Sequence, residues 1–415
     1  MVSCSLQACY SNLDAQTDGV PMHQILKFEF PKLTGEYPVS KTTRHIIDTN
    51  RKEPFNPNEQ RELMVHIWYP SARGEVYPYV VYRQDEIADT KRSLIANGFP
   101  EEDVKNLDFI YTHAVADEQP LHGLSPYPVI LFSHGYLGLM PEDYTALCEE
   151  LASHGYIVAS VAHTYYAPRV IFPDGRIITA APELYFQQSC PSADEQRMWA
   201  DDVQCALDHL LQYNADTHNT FFNLLDPERV GVIGHSMGGS TAYRLCTEDS
   251  RFKAGVSFDA LLWSTDQKVS ELTKPFLFMF AEQDPHTSDE KLAQYYGRYI
   301  SYVKIFENVS TGAEQVKKDM RTTNEERAKN HEMYLSIVKN FQVICQKEAR
   351  VDVVIPGLMH SGFSDLLLLK DLPVYKNNKQ LVDVEAITGT AKGKETIQLI
   401  NKHIVDFLDA HLKQE

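Results

Sequence analysis

Two rhythms of apolar residues alternate along this chain. Short uninterrupted apolar runs, bounded by proline or glycine, are separated by longer stretches with apolar residues three and four apart. The first rhythm suits strands buried on both faces of a parallel sheet, and the second suits amphipathic helices lying on it. The runs are Pro128–Ser133, Tyr156–Ala162, Arg229–Gly234, Ala254–Phe258, Pro275–Phe280, Val303–Phe306 and Val351–Ile355. Glu62–Pro70 alternates and ends at proline, which predicts an earlier strand. Helical spacing falls at 142–154, at 194–213 with Leu207, Leu210 and Leu211 on the apolar face, from about Met237 to Cys246, and at 395–413. Gly155 stands where a helix-ending glycine belongs. Strands alternating with helices predict an α/β protein with a mostly parallel central sheet and helices on both faces.

The punctuation also predicts the domain organisation. Residues 1–22 are polar and read as a loose N-terminal segment, and 23–415 read as one domain with charged insertions at about 72–122 and 311–349. The first insertion carries the helix-like DEIADTKRSLIANG and is expected to form part of a lid. In 415 residues, 43% hydrophobic and 23% charged, the balance is that of a soluble globular protein able to bury a full core. The net charge of -18 sets nucleic-acid binding aside and disfavours electrostatic docking on anionic lipid, so any transient membrane contact must be apolar and local. The seven cysteines lack CxxC spacing, so free thiols are expected rather than a zinc site or disulfide framework. The first residues lack a basic start followed by an apolar run, and no stretch of ~18 apolar residues exists. A soluble, cytoplasmic protein is the default expectation, with export by another route open. Neither cofactor nor metal is called for.

Chemistry enters at Gly234-His235-Ser236-Met237-Gly238. This G-x-S-x-G follows a predicted buried strand and opens a predicted helix, the context of a nucleophile elbow, where a strained turn demands small neighbours. It marks Ser236 as the candidate nucleophile. The helix N-terminus behind it favours negative charge developing on a bound oxygen. An earlier strand ends in His134-Gly135-Tyr136, so the backbone N–H groups of Tyr136 and Met237 are the candidate oxyanion donors. In this fold the order along the chain is Ser, Asp, His. His360, in the loop PGLMHSGFSD after the last predicted strand, is the candidate base. Asp259, at the end of Ala254–Phe258, and Asp284, in AEQDP one strand later, are both candidates for the acid that orients it. Tyr165, Tyr166, Phe172, Phe363 and Leu366 are candidates for an acyl pocket or an interfacial patch.

Several stretches resemble the type II platelet-activating factor acetylhydrolase family. They are LTGEYPVSKTTRHIID, ELMVHIWYPS, PVILFSHGYLG, ELASHGYIVASVAHTYYAP, FPDGRII, DDVQCALDHL, GHSMGGSTAYRL and EDSRFKAGVSFDALLW. The resemblance runs from about residue 34 to residue 413 apart from the two insertions. It implies an α/β-hydrolase fold and calcium-independent hydrolysis of short or oxidised acyl esters, often at the second position of a glycerophospholipid. It favours Asp259 over Asp284, because the family's acid sits in a phrase like SFDA, and it implies the same two oxyanion donors. Rival readings are a small-ester or thioester hydrolase of the dienelactone-hydrolase-like type and a non-catalytic binding protein on a hydrolase fold.

Overall fold

The computed structural model describes residues 27–72, 80–81, 87–182, 184, 192–260, 272–282 and 350–413. The predicted strand Val303–Phe306, the second insertion, the segment 1–22 and Asp284 lie outside the described residues. The apolar runs become the sheet. Its strands are β1 (Val39–Glu53), β2 (Asn56–Pro70), β3 (Val115–Ala116), β4 (Tyr127–Ser133), β5 (Ile157–Ala162), β6 (Leu225–His235), β7 (Phe252–Phe258), β8 (Phe276–Ala281) and β9 (Arg350–Ile355). They lie in the order β9-β8-β7-β6-β4-β5-β2-β1-β3. From β9 to β5 every pairing is parallel, and only β2 runs antiparallel to both of its neighbours.

Successive side chains of a strand point to opposite faces, and here both faces are apolar. In β4, Ile130 and Phe132 join one core with Leu147, Leu151, Ile404 and Leu408, while Val129 and Leu131 join another with Val203, Leu207, Ala242 and Tyr243. The first core is closed by helices α1 (Thr145–Ser153) and α4 (Gly393–Leu412), the second by α2 (Ala193–Ala215) and α3 (Met237–Glu248). Ser192 caps α2 in a reciprocal box with Glu195. Gly155, just past α1, has φ 85°, a conformation that turns the chain into β5 without Cβ strain.

The described part of the first insertion is anchored in the body of the protein. Val104, Leu107 and Ile110 are buried in the main core, and Asp103 accepts amide hydrogens from Asn377 and Asn378. Ile110–Thr112 pairs with Phe28–Glu29 and Val80–Val81 in a small separate sheet. Apolar burial of this kind ties the segment into the body. The apolar pattern does not predict β1, because its sequence, VSKTTRHIIDTNRKE, is rich in polar residues and lies near the sheet edge.

Candidate active site

The turn after β6 is built by exclusion. Ser236 has φ 55° and ψ −117°, a conformation that costs a non-glycine residue about 1–3 kcal/mol. A Cβ on Gly234 would lie 1.9 Å from the Gly238 carbonyl oxygen, and one on Gly238 would lie 2.1 Å from that of Ser133. One on Gly239 would meet Ala260 Cβ and Ser257 Oγ at 2.6 Å. The three glycines let the turn touch the ends of β4 and β7 at once. We predict that Gly238→Ala lowers stability by roughly 3 kcal/mol or more, because backbone on both sides must move. Gly175→Ala, at φ 86° with open space around it, should cost about 1 kcal/mol. Equal shifts in thermal melting would show that the clearance at Gly238 is unimportant.

The Ser236 N–H donates to the carbonyl of Phe258 at 2.8 Å, which ties the turn to the residue before Asp259. Asp259 has φ 44° and is nearly buried. Its N–H donates to Met279 O at 2.8 Å, and its Oδ1 accepts the Ala281 N–H at 3.2 Å. Its Oδ2 lies 2.7 Å from His360 Nδ1. A carboxylate can only accept, so Nδ1 carries a proton, and the neutral tautomer that this contact selects has its lone pair on Nε2. Ser236 thus shares one end of the sheet with a joined Asp259–His360 pair. The other acid candidate, Asp284, lies outside the described residues.

His360 opens a short 3₁₀ turn, His360–Phe363. Its loop is stitched by Met359 N–H to Thr388 O at 3.1 Å and by the Leu358–Gly389 bridge. Asp365 clamps the far end: it accepts the N–H of Thr145 at 2.7 Å and that of Ala146 at 3.3 Å, at the start of α1. Burial first, then Asp143, pushes its carboxyl well above the ordinary range. No motif marks Asp365, whose only signal in the sequence is an acidic residue in an otherwise apolar stretch.

The oxyanion segment follows β4. Leu137 N–H donates to Tyr166 O at 3.1 Å, and Gly138 N–H donates to Tyr136 O at 2.7 Å. Met237 is the first residue of α3, where a helix leaves backbone N–H groups without intrahelical acceptors. Tyr144 Oη lies 2.7 Å from His235 Nδ1 and accepts the Gly135 N–H at 3.3 Å. Burial first, then the His360 ring 4.6 Å away, holds the His235 imidazole well below its ordinary value, so it packs as a neutral ring.

The expected pocket residues separate. Tyr165 is half-buried and packs on Phe55 with ring centroids 5.2 Å apart. Tyr166 is buried beside Tyr136 and Trp199. Phe172, Phe363 and Leu366 do not form a surface patch. Phe172 packs with Met64, Met140 and Val170, Phe363 stacks on Phe258 at 5.3 Å, and Leu366 belongs to the main core. Apolar residues near strand ends found more contact inward than at the surface.

Parallel sheet, flanking helices, elbow turn and a His–Asp pair on the following loops place the protein in the α/β-hydrolase class. Within it, the chain matches the family model for platelet-activating factor acetylhydrolase, isoform II, over residues 25–167 and 204–415, and it belongs to that family. A chlorophyllase model also matches, over residues 119–266. Platelet-activating factor acetylhydrolase of Cavia porcellus is 31% identical over 193 residues, which is 41% of this chain and 44% of that protein. A probable 1-alkyl-2-acetylglycerophosphocholine esterase of Arthroderma benhamiae is 29% identical over 143 residues, 34% of this chain and 33% of that protein. The chain thus spans less than half the length of these curated relatives. The solved structure of a ferulic acid esterase from Streptomyces cinnamoneus matches with TM-score 0.67 at 25% identity, covering 94% of each chain. No helix among the described residues is long and apolar enough to cross a membrane.

Proposed function

We propose that the chain is a serine carboxylester hydrolase acting on phospholipid-like esters with short or oxidised acyl chains. Ser236 Oγ attacks the acyl carbonyl while His360 Nε2 takes its proton. His360 then returns that proton to the leaving alkoxide oxygen, which departs as the alcohol. In the second half His360 takes a proton from water, hydroxide attacks the acyl-serine carbonyl, and the proton returns to Ser236 Oγ as the acid leaves. Asp259 holds His360 in the required tautomer and stabilises the imidazolium. The backbone N–H groups of Tyr136 and Met237 receive the negative oxygen of each tetrahedral intermediate. The observation that carries this reading is the 2.7 Å Asp259–His360 contact on the strand that neighbours the Ser236 turn.

The substrate class draws on the family and on the two named relatives. A second reading, hydrolysis of small aryl esters, draws on the ferulic acid esterase likeness. It also draws on the partly buried aromatic rings Phe55, Tyr136 and Tyr165, which pack against the small apolar cluster that contains Met237 and Leu137. A panel of 2-acetyl, truncated-chain and long-chain phosphatidylcholines beside feruloyl and p-nitrophenyl esters separates the two. We expect turnover to be fastest on 2-acetyl and truncated phospholipid and unchanged by chelator. Salt should have little effect, because a net charge of -18 gives no electrostatic capture to screen. Turnover of soluble aryl esters with no phospholipid hydrolysed at any chain length would select the second reading.

A further inference from the structure

Behind the oxyanion segment lies a second hydroxyl–imidazole–carboxylate array, made of residues the proposed reaction does not use. Ser133, the last residue of β4, has its Oγ 2.9 Å from His163 Nε2. His163, just past β5, has its Nδ1 2.9 Å from Asp202 Oδ2 on α2. Asp202 accepts from Arg61 at both oxygens, Nε–H at 3.1 Å and Nη2–H at 2.6 Å, and Arg51 lies 2.9 Å away. Arg61 donates further to Glu53 at 2.6 Å and to the carbonyl of Thr164 at 2.9 Å. The His163 ring stacks on Trp199 at 3.8 Å and 16°. Ser133, His163, Asp202 and Arg61 are all 0% exposed. An ester cannot reach Ser133 Oγ, so the array is no second hydrolytic centre.

Its hydrogen bonds have a single consistent direction. Burial keeps the His163 imidazole below its ordinary value against the pull of Asp202. The ring is neutral, Nδ1–H donates to Asp202, and Nε2 accepts the Ser133 hydroxyl hydrogen. The backbone N–H of His163 donates to His134 Nε2 at 3.1 Å, so His134 carries its own proton on Nδ1. That proton goes to the Gly135 carbonyl oxygen, 2.7 Å away. A peptide is planar and trans, so a Gly135 C=O turned toward the His134 ring turns the Tyr136 N–H the opposite way. The Ser133 and His134 carbonyls also abut Gly238, where a Cβ would come within 2.1 and 2.5 Å of them.

We propose that Ser133, His163 and Asp202, anchored by Arg61, form a buried positioning array. It sets the direction of the Tyr136 N–H and the spacing between its loop and the Ser236 turn. None of these residues touches substrate. The proposal rests on the reading of Tyr136 N–H as an oxyanion donor.

Ser133→Ala and His163→Phe test it; the second keeps a ring over Trp199 while removing the polar atoms. Each is assayed on a soluble p-nitrophenyl ester, for affinity toward a trifluoromethyl ketone that adds to serine as an oxyanion, and by thermal melting. We expect kcat to fall roughly tenfold to hundredfold with KM nearly unchanged, as for a slightly misplaced donor. Ketone affinity should fall by the same factor. Wild-type kcat per folded molecule and wild-type ketone affinity, even with lowered melting, would overturn the proposal and leave only structural support. If His163→Phe does not fold, Ser133→Ala decides alone, since it removes one hydroxyl and leaves the stack. Ser236→Ala in the same assay keeps the outcomes apart. If Ser236→Ala keeps wild-type turnover, the assignment of Ser236 as nucleophile fails. If it is dead while Ser133→Ala behaves as wild type, only the positioning array fails.

Discussion

Ser236→Ala should lower ester hydrolysis by roughly 10⁴- to 10⁶-fold, the loss seen when a serine–histidine–carboxylate unit is broken, and should abolish labelling by a fluorophosphonate probe. The fold should survive, because the side chain contributes little packing and the backbone hydrogen bond from Ser236 N–H to Phe258 O does not depend on it. Alanine retains the Cβ and hence the strain of φ 55°. Ser236→Gly removes the Cβ as well, so it should be just as inactive yet about 1–2 kcal/mol more stable than Ser236→Ala. Such a gap would measure the strain this turn holds to present the hydroxyl. Full probe labelling of either variant at another residue would refute the assignment. Equal melting temperatures for the two would refute the strain.

The features legible in the sequence are those enforced locally. The parallel strands read as apolar runs because both of their faces are buried, so β4 shows no polar alternation at all. The Ser236 turn reads as G-x-S-x-G-G because clearances of 1.9 to 2.6 Å admit no Cβ at Gly234, Gly238 or Gly239. What stayed hidden depends on partners far along the chain. β1 takes its place from pairing with β2, not from any apolar period of its own. Phe172 and Leu366 are apolar whether they line a mouth or fill a core, and only the fold decides. Asp202 sits on a helix among polar neighbours, and nothing in its spacing announces that Arg61, 141 residues away, neutralises it in the interior. The stretch at 72–122 hides its core residues for a related reason, since its charged sequence conceals Val104, Leu107 and Ile110, which the core absorbs.

Asp259→Asn should cost about 10⁴-fold in turnover, the size of the tautomer effect in the serine-protease template, and its cause lies in a second hydrogen bond. Asp259 Oδ1 accepts the Ala281 N–H, while Oδ2 faces His360 Nδ1. Asparagine has one oxygen to give. If that oxygen keeps the Ala281 N–H, which is buried and cannot turn to water, the amide NH₂ faces His360. Nδ1 must then accept, the imidazole proton moves to Nε2, and Nε2 can no longer take the Ser236 proton. The opposite flip keeps the tautomer but leaves the Ala281 N–H against an NH₂ group, a buried donor without an acceptor that costs about 1–3 kcal/mol. The first orientation should therefore prevail, with kcat collapsing while stability changes little. Asp259→Ala should lose activity by a similar or smaller factor, because it withdraws the oriented partner without imposing the wrong tautomer. Asp284→Asn, assayed in parallel, should retain most of the wild-type kcat. A crippled Asp284→Asn beside a near-wild-type Asp259→Asn would transfer the orienting role to Asp284.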